Sequence, residues 1–485
     1  MKTLSTHLRL LAVAPALLLS ACASYQGIAP SASAIEQIKL PATTLAQHTA
    51  DAWPREDWWH TFGDAQLDGL IQHALEHSPT LALAQSRLVR AQAAAGFTRA
   101  GSLPQATLDV DGSYGHQSEN YVMPKPPLGK GGEYISQGRA AIDFSFDLDL
   151  WGRNAALIKA ANAQGDAAAF DRDAARLALT TSIARSYAQL AAQYALQDVL
   201  LATQKQRQTI RDLTEQRVKN GLDTRVEQKQ TETSEAALRA ELAQLATAMD
   251  VTRLQLAALA GDMPTAAKDI ARPTLSATTL SVPQNLALDL LARRPELAAQ
   301  RARIIAATGD ADAAKAQFYP NINLTAFLGF QAIGLTQLFK GGSMVNGIGP
   351  AIHLPLFDSG RLRANYASKI ADVDGAIAQY NQSVVTAAQD VAEQLTRIAA
   401  LSNEEAATHA ALAAAEEAYR LAMLRYQGGL SPYLTALTVE TQLLAQRRAA
   451  ADLKARRQDL QITLIRALGG GFHDAIAPLA HNQQH

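Results

Sequence analysis

The chain has 485 residues, with 44 Lys and Arg against 45 Asp and Glu and a formal net charge of -1. That balance excludes an electrostatic case for nucleic acid or for a polybasic membrane contact. Hydrophobic residues make up 48% and charged residues 18%, but alanine carries much of the apolar share, which favours long close-packed helices over a thick core.

The N-terminus opens with Lys2 and Arg9, followed by a short apolar run from Leu10 to Leu19. A run that short reads as a signal peptide over residues 1–21 and not as a spanning helix. It ends in Leu19-Ser20-Ala21-Cys22, and Cys22 is the only cysteine, so no intramolecular disulfide can form. The tetrapeptide resembles a bacterial lipobox, which implies diacylglycerol on the thiol and an N-acyl chain on the new N-terminus. The competing reading is an ordinary secretory signal with an incidental cysteine. Ala23, in place of Asp, fits the sorting pattern for the outer membrane, and several acyl chains on one residue anchor a protein stably. Residues 22–60 are therefore expected to form a lipidated tail. No other run reaches the ~20 apolar residues of a spanning helix, so the mature protein can cross a membrane only as a closed β-barrel.

After the tail the chain is written twice. Leu67 to Gln92 has a counterpart in Asn285 to Ala307, with Pro79 matching Pro295 at an offset of 216 residues. Leu103-Pro104 matches Tyr319-Pro320 at the same offset. Beyond this the offset becomes 208: Trp151-Gly152-Arg153 matches Ser359-Gly360-Arg361, Gly221-Leu222 matches Gly429-Leu430, and Gly261 matches Gly469. The repeats are assigned to residues 61–261 and 285–469, with a linker over 262–284 and a C-terminal tail over 470–485.

Within each repeat a strand hairpin comes first, at 105–150 and 321–357. Ala106, Leu108, Val110 and Tyr114 alternate with Gln105, Thr107, Asp109, Asp111 and Ser113. Ile142, Phe144, Phe146 and Leu148 alternate with Asp143, Ser145, Asp147 and Asp149. Period two with acids on one face is the pattern of a barrel strand, apolar toward lipid and polar toward the lumen. The second repeat shows it more weakly, and Pro350 predicts a bulge or an edge position. Four strands cannot close a barrel, for which about eight are needed, so several chains must contribute; three chains supply twelve strands.

Helices follow. Residues 153–220 lack proline and contain only Gly165, and at about 1.5 Å per residue they span roughly 100 Å. A second helix is expected over 223–260, with Gly221 at the turn between them. The second repeat matches this with helices over 361–427 and 431–468, turning at Gly428-Gly429. Ala184, Ala188, Ala191 and Ala195 have the spacing of a packing seam.

These residues carry a family signature. DWWHTFGDAQLDGLI (57–71), FDLDLWGR (146–153), LARRPEL (291–297), AKAQFYPNI (314–322), LPLFDSGRLRA (354–364), YNQSV (380–384) and RYQGGLSPYL (425–434) together resemble the TolC-like outer-membrane efflux proteins, in particular their lipoprotein subgroup in multidrug and fusaric-acid-type systems. The resemblance implies a mixed α/β membrane protein: a trimeric twelve-stranded transmembrane β-barrel continued by a long periplasmic α-helical barrel, with four strands per chain and 262–284 as an equatorial linker. It further implies a passive duct carrying drugs or toxic organic compounds, a periplasmic membrane-fusion adaptor docked at the tips, and a proton-driven inner-membrane pump. Carried over residue by residue, Arg217, Gly221, Thr224, Arg425, Gly429 and Ser431 are expected adaptor contacts, with plain capping of the helix C-termini as the competing reading of the two arginines. The expected periplasmic gate lies at Leu434, Thr435 and Thr438, with Glu227 in the analogous zone of the first repeat. Thr435 and Thr438 stand where relatives carry acids, which argues against a carboxylate ring that binds divalent cations.

Two other classes of function compete with the duct. A periplasmic structural lipoprotein without a pore explains the helices but leaves four amphipathic strands unpartnered. A zinc hydrolase rests on His73-Ala74-Leu75-Glu76-His77, which matches H-x-x-E-H. The other repeat has Asp289 and Arg293 at the two histidine positions, and no third ligand suggests itself. His481 and His485 lie in the polar tail. No catalytic residue, metal or cofactor apart from the covalent lipid is expected, and an enzyme is not the reading.

Overall fold

The computed structural model describes residues 24–36, 53–120, 127, 132–276, 293–355 and 357–473. Cys22, the signal peptide, the matched positions of Asp289 and most of the C-terminal tail with His481 and His485 lie outside the described residues. In chain order the first repeat gives helices α1 (Ala65–His77) and α2 (Pro79–Gly101), strands β1 (Gln105–His116) and β2 (Tyr134–Asp147), then α3 (Arg153–Lys219) and α4 (Arg225–Ala260). The second gives α5 (Pro295–Ala316), β3 (Asn321–Ile333), β4 (Met344–His353), α6 (Arg361–Gln427) and α7 (Tyr433–Ala467). Helices α3 and α6 are each 67 residues long, and the offset of 208 holds at both their first and their last residues. Among the described residues no helix is long and apolar enough to cross a membrane.

The chain divides into two compact units. One comprises Met1–Ala34, Leu88–Ala167 and Gln300–Tyr380 and holds the sheet. Its four strands run antiparallel in the order β1-β2-β3-β4, so β1 and β4 each present an edge with no partner among the described residues. The register pairs Leu108 with Ile142 and Ile142 with Leu328, while Asp109 faces Ala141 and Asp111 faces Arg139. Apolar and polar side chains are thus sorted onto opposite faces, as the alternation predicts. The apolar face is bare: Leu108 is 70% exposed, Val110 68% and Ile348 77%. Pro350 pairs with Leu324 in an unbroken register, so the bulge expected there is absent. Strand β4 is an edge within the chain, where an outward position has no ladder bond for proline to remove.

Part of the expected tail is bound to this unit. Tyr25 packs edge-on against Phe318 and Tyr366, and its hydroxyl lies 3.0 Å from that of Tyr319. Asp374 accepts from Ser31 N (2.9 Å), Ser31 Oγ (2.8 Å) and Ala32 N (2.9 Å), and Arg363 donates to the carbonyls of Ser24 and Gln26. The bonds to Ser31 N, Ala32 N and the carbonyls of Ser24 and Gln26 satisfy backbone groups that sequence periodicity leaves without a partner.

The other unit comprises Ile35–Arg87, Ala168–Ala299 and Asn381–His485. Its core begins before residue 61, inside the stretch expected as tail: Trp58, Trp59 and Phe62 of a 3-10 turn are buried with Ile71, Ile183, Tyr187, Leu190 and Leu256. Large aromatics gain more from burial than a free tail can supply, so the Asp-Trp-Trp motif is drawn into the core. Asp64 caps α1, and its carboxylate also accepts from Tyr187 Oη (2.9 Å) and Thr274 N (2.6 Å). Burial pushes that carboxyl up, yet the Thr274, Tyr187 and Leu67 donors outweigh it and hold it below the usual range. Ala184 and Ala188 of the expected seam are buried, and Ala191 and Ala195 are half-buried. The linker is partly folded, with a 3-10 turn at Pro264–Asp269.

Candidate functional site

The two helix turns, α3 to α4 and α6 to α7, are built alike. Gly221 and Gly429 adopt φ of +71° and +73°, the left-handed region that closes a helix C-terminus. Leu222 N reaches Arg217 O at 2.8 Å, and Leu430 N reaches Arg425 O at 2.8 Å, the same six-residue closure in both repeats. Leu222 and Leu430 are left exposed at the turns.

The side chains differ. Arg217 donates from Nε to Asp223 Oδ2 at 2.8 Å and from Nη2 to Asp223 Oδ1 at 3.2 Å. Its Nη1 reaches the carbonyl of Tyr426 at 3.2 Å, and its guanidinium lies 4.8 Å from the Tyr426 ring centroid. The Tyr426 hydroxyl donates to Asp223 Oδ2 at 2.9 Å and lies 2.9 Å from Thr214 Oγ1. Tyr426 is fully buried, packed with Ile210, Tyr433 and Ala436. This constellation ties the first turn to the end of α6. Burial pushes the Asp223 carboxyl up, but Arg217 and Tyr426 more than offset it and hold the carboxyl low. Burial, reinforced by Asp223, pushes the Tyr426 hydroxyl up to about 12, so it remains a donor.

Arg425 has no such partner. The position equivalent to Asp223 is Ser431, and Arg425 is exposed with no ion pair among the described residues. Of the six residues expected to contact an adaptor, Gly221, Thr224, Arg425 and Gly429 are exposed, Ser431 is half-buried, and Arg217 is held inside the chain. The contrast of Asp223 with Ser431 is legible in the sequence, where Asn220-Gly221-Leu222-Asp223 stands against Gly428-Gly429-Leu430-Ser431, but the parts of Thr214 and Tyr426 are not. Tyr426 stands beside Arg425 in the quoted RYQGGLSPYL motif, which is its signal in the sequence.

Helix α4 starts at Arg225, two residues later than expected, because Thr224 caps it. Glu227 closes a capping box, accepting from Thr224 N at 2.8 Å and from the Thr224 hydroxyl. The Thr224 hydroxyl, with the backbone donors, holds the Glu227 carboxyl below its usual range. Helix α7 starts at Tyr433 after Pro432, which takes the cap position without a side-chain bond. Leu434, Thr435 and Thr438 are exposed on one side of α7, and Thr438 Oγ1 donates back to Leu434 O at 2.8 Å. On the opposite side Glu440 is 1% exposed and pairs with Arg207 at 3.2 Å. Burial raises the Glu440 carboxyl against the pull of Arg207, and the pair was not anticipated.

In the histidine motif His73 Nε2 lies 3.0 Å from Asp262 Oδ1, and the His73 and His77 rings stack at 4.3 Å. Among the described residues no cluster of three or more His, Cys, Asp or Glu is placed to hold a metal.

A family model described as Outer membrane efflux protein matches residues 70–262 and 286–470, which are the two repeats. The multidrug resistance outer membrane protein MdtP of Shigella flexneri is 35% identical over 452 residues, covering 91% of each chain. Among solved structures, the outer membrane protein VceC of Vibrio cholerae is 38% identical with a TM-score of 0.82, covering 87% of this chain and 100% of its own. The MtrE outer membrane channel of Neisseria gonorrhoeae, in its open state, is 25% identical with a TM-score of 0.78, covering 93% and 99%.

Proposed function

We propose that this chain, which belongs to the outer membrane efflux protein family, works as one third of a homotrimeric duct through the outer membrane. The observation that carries the trimer is the sheet. It exposes an apolar face and two unpaired edges, and an open edge beside bare leucines invites pairing with another copy. Three sheets joined edge to edge give twelve strands, enough for a water-filled barrel with its apolar face in lipid. The paired long helices continue the duct as an α-helical barrel in the periplasm.

In this reading the duct conducts passively, and drugs or toxic organic compounds reach it from a proton-driven inner-membrane pump through a periplasmic adaptor. Arg425 and the exposed turns at Gly221, Thr224, Gly429 and Ser431 are the accessible part of the docking surface. Arg217 acts from within, by shaping the first turn. Leu434, Thr435 and Thr438 line the gate, with Glu227 contributing only what its capping role leaves free. Purified protein in planar bilayers should conduct as trimers. No conductance, even from variants altered at Asp223 and Leu434, would favour a structural lipoprotein without a pore.

The same reading places an acyl anchor on Cys22, two residues before Ser24, whose carbonyl Arg363 holds. Intact mass of the mature protein should show a chain starting at Cys22 plus three acyl groups. Cys22→Ser should lose that mass and still form trimers. An unmodified cysteine in the wild-type protein would remove the anchor from the proposal.

A further inference from the structure

The polar face of the sheet carries a single phenyl ring among its described residues. The register sets Thr107, Asp143, Phe327 and Gly347 in one row across the four strands. The next row on this face reads Asp109, Ala141, Gly329 and Val345, and the one after it holds Asp111, Arg139 and Gln331. Ile135, Ile333 and Val345 are the aliphatic side chains of this face, and Phe327 is its one aromatic ring among the described residues, placed by the strict alternation of β3 opposite Leu324, Leu328 and Phe330.

The ring is accommodated deliberately. A Cβ at Gly347 would lie 2.8 Å from both Cε1 and Cζ of Phe327, so the ring lies over the glycine backbone and any larger residue there would make it shift. Phe327 remains 40% exposed, so the placement gains only part of the burial energy of a phenyl group. The charge around it is net acidic. Arg139 is bonded to Asp143 at 2.8 and 2.6 Å, and it is the one cation in these rows against the three carboxylates of Asp109, Asp111 and Asp143.

A phenyl face and nearby carboxylates both favour one class of solute, an organic cation with an apolar body. We propose that Phe327 is a specificity-determining residue of the duct, a transient foothold for lipophilic cations on the wall of the barrel lumen. The proposal rests on the reading of this sheet as barrel wall, with its polar face inward. Three copies place three such rings around the lumen at one level. An anion of the same shape meets the ring but is repelled by the carboxylates, and an inorganic cation meets the carboxylates but gains little from the ring.

Val345, two residues from Gly347 on the same face, offers a reporter position. Val345→Cys trimers in lipid nanodiscs are treated with a cationic and an anionic methanethiosulfonate of matched size, with the unsubstituted protein as blank. The cationic reagent should react faster. Tetraphenylphosphonium should slow that reaction by about two- to tenfold, the range a cation–aromatic contact supports, whereas tetraphenylborate should not. Adding Phe327→Ala should abolish the protection, and Phe327→Trp should preserve it, which separates loss of the ring from loss of the fold. If neither reagent reaches the thiol, the barrel reading itself fails. If the thiol reacts but protection is the same in Phe327→Ala, or tetraphenylborate protects equally, the foothold is overturned and the barrel stands.

Discussion

Asp223→Asn is expected to raise the conductance of single trimers in planar bilayers by about tenfold or more without reducing the amount of trimer. The carboxylate is the hub of the first turn: it takes two bonds from Arg217 and one from Tyr426, whose ring closes the end of α6. The Arg217 and Asp223 side chains are only 11% and 7% exposed, so solvent screens the pair little. A charged hydrogen bond in such a place contributes about 1.5–3 kcal/mol, and about 1.4 kcal/mol is tenfold in an equilibrium. The amide keeps the shape and one acceptor but removes the charge, so the turn loosens without the core being emptied. Tyr426→Phe removes a neutral donor and should act in the same direction by a smaller factor.

The sign of the pH effect follows from the depressed Asp223 carboxyl. Its contribution is fully present above the unfolded value of about 3.9 and is lost as pH falls through the lower folded value. The wild-type duct should therefore keep its low conductance across the neutral and mildly acidic range, and rise above it only in strong acid. Wild-type conductance from an Asp223→Asn trimer, with unchanged resistance to large antibiotics in cells, would show that this contact does not govern the tips.

Arg207→Ala is expected to lower stability by about 3–5 kcal/mol at pH 8, the usual result of leaving one member of a buried ion pair behind. Arg207 donates to both oxygens of Glu440 and, at 2.6 Å, to the carbonyl of Ser234, so the truncation orphans a carboxylate and a backbone group together. The loss should shrink toward pH 5. Burial already raises the Glu440 carboxyl, and without Arg207 it takes up a proton more readily in the fold than in the unfolded chain. A group with a raised folded value favours the fold below its unfolded value, and that contribution disappears as pH rises through the folded one.

The dissociation temperature of the trimer, followed from pH 5 to pH 8, reads the effect. Adding Glu440→Gln should flatten the pH dependence, and Arg207→Met with Glu440→Leu should recover most of the loss, because apolar replacement of a buried pair is close to neutral. An equal loss at both pH values would mean that Glu440 is not the group responsible.

Sequence alone determined the elements of this protein. Alternation sorted Leu108, Ile142 and Leu328 from Asp109 and Asp143, and the absence of proline between Arg153 and Asn220 foretold a helix that runs to Lys219. Gly221 and Gly429 marked both turns, because only a positive φ closes a helix there. All of these are local properties, set by a period of two or of 3.6 residues or by one residue's backbone freedom.

What the tertiary structure decided is the part each polar residue plays. Arg217 and Arg425 stand at equivalent places before equivalent glycines, yet one is locked to Asp223 and Tyr426 and the other is free to meet a partner. Trp58 and Trp59 read as tail and proved to be core, while Ser31 and Tyr25 read as tail and proved to be strapped to the start of α6. Tyr426 lies 203 residues from Asp223, and Glu440 lies 233 from Arg207. No periodicity spans such a distance. Burial and hydrogen-bond geometry choose among chemically identical side chains only after the helices have packed, because only then does leaving a polar group unpaired carry its full desolvation cost.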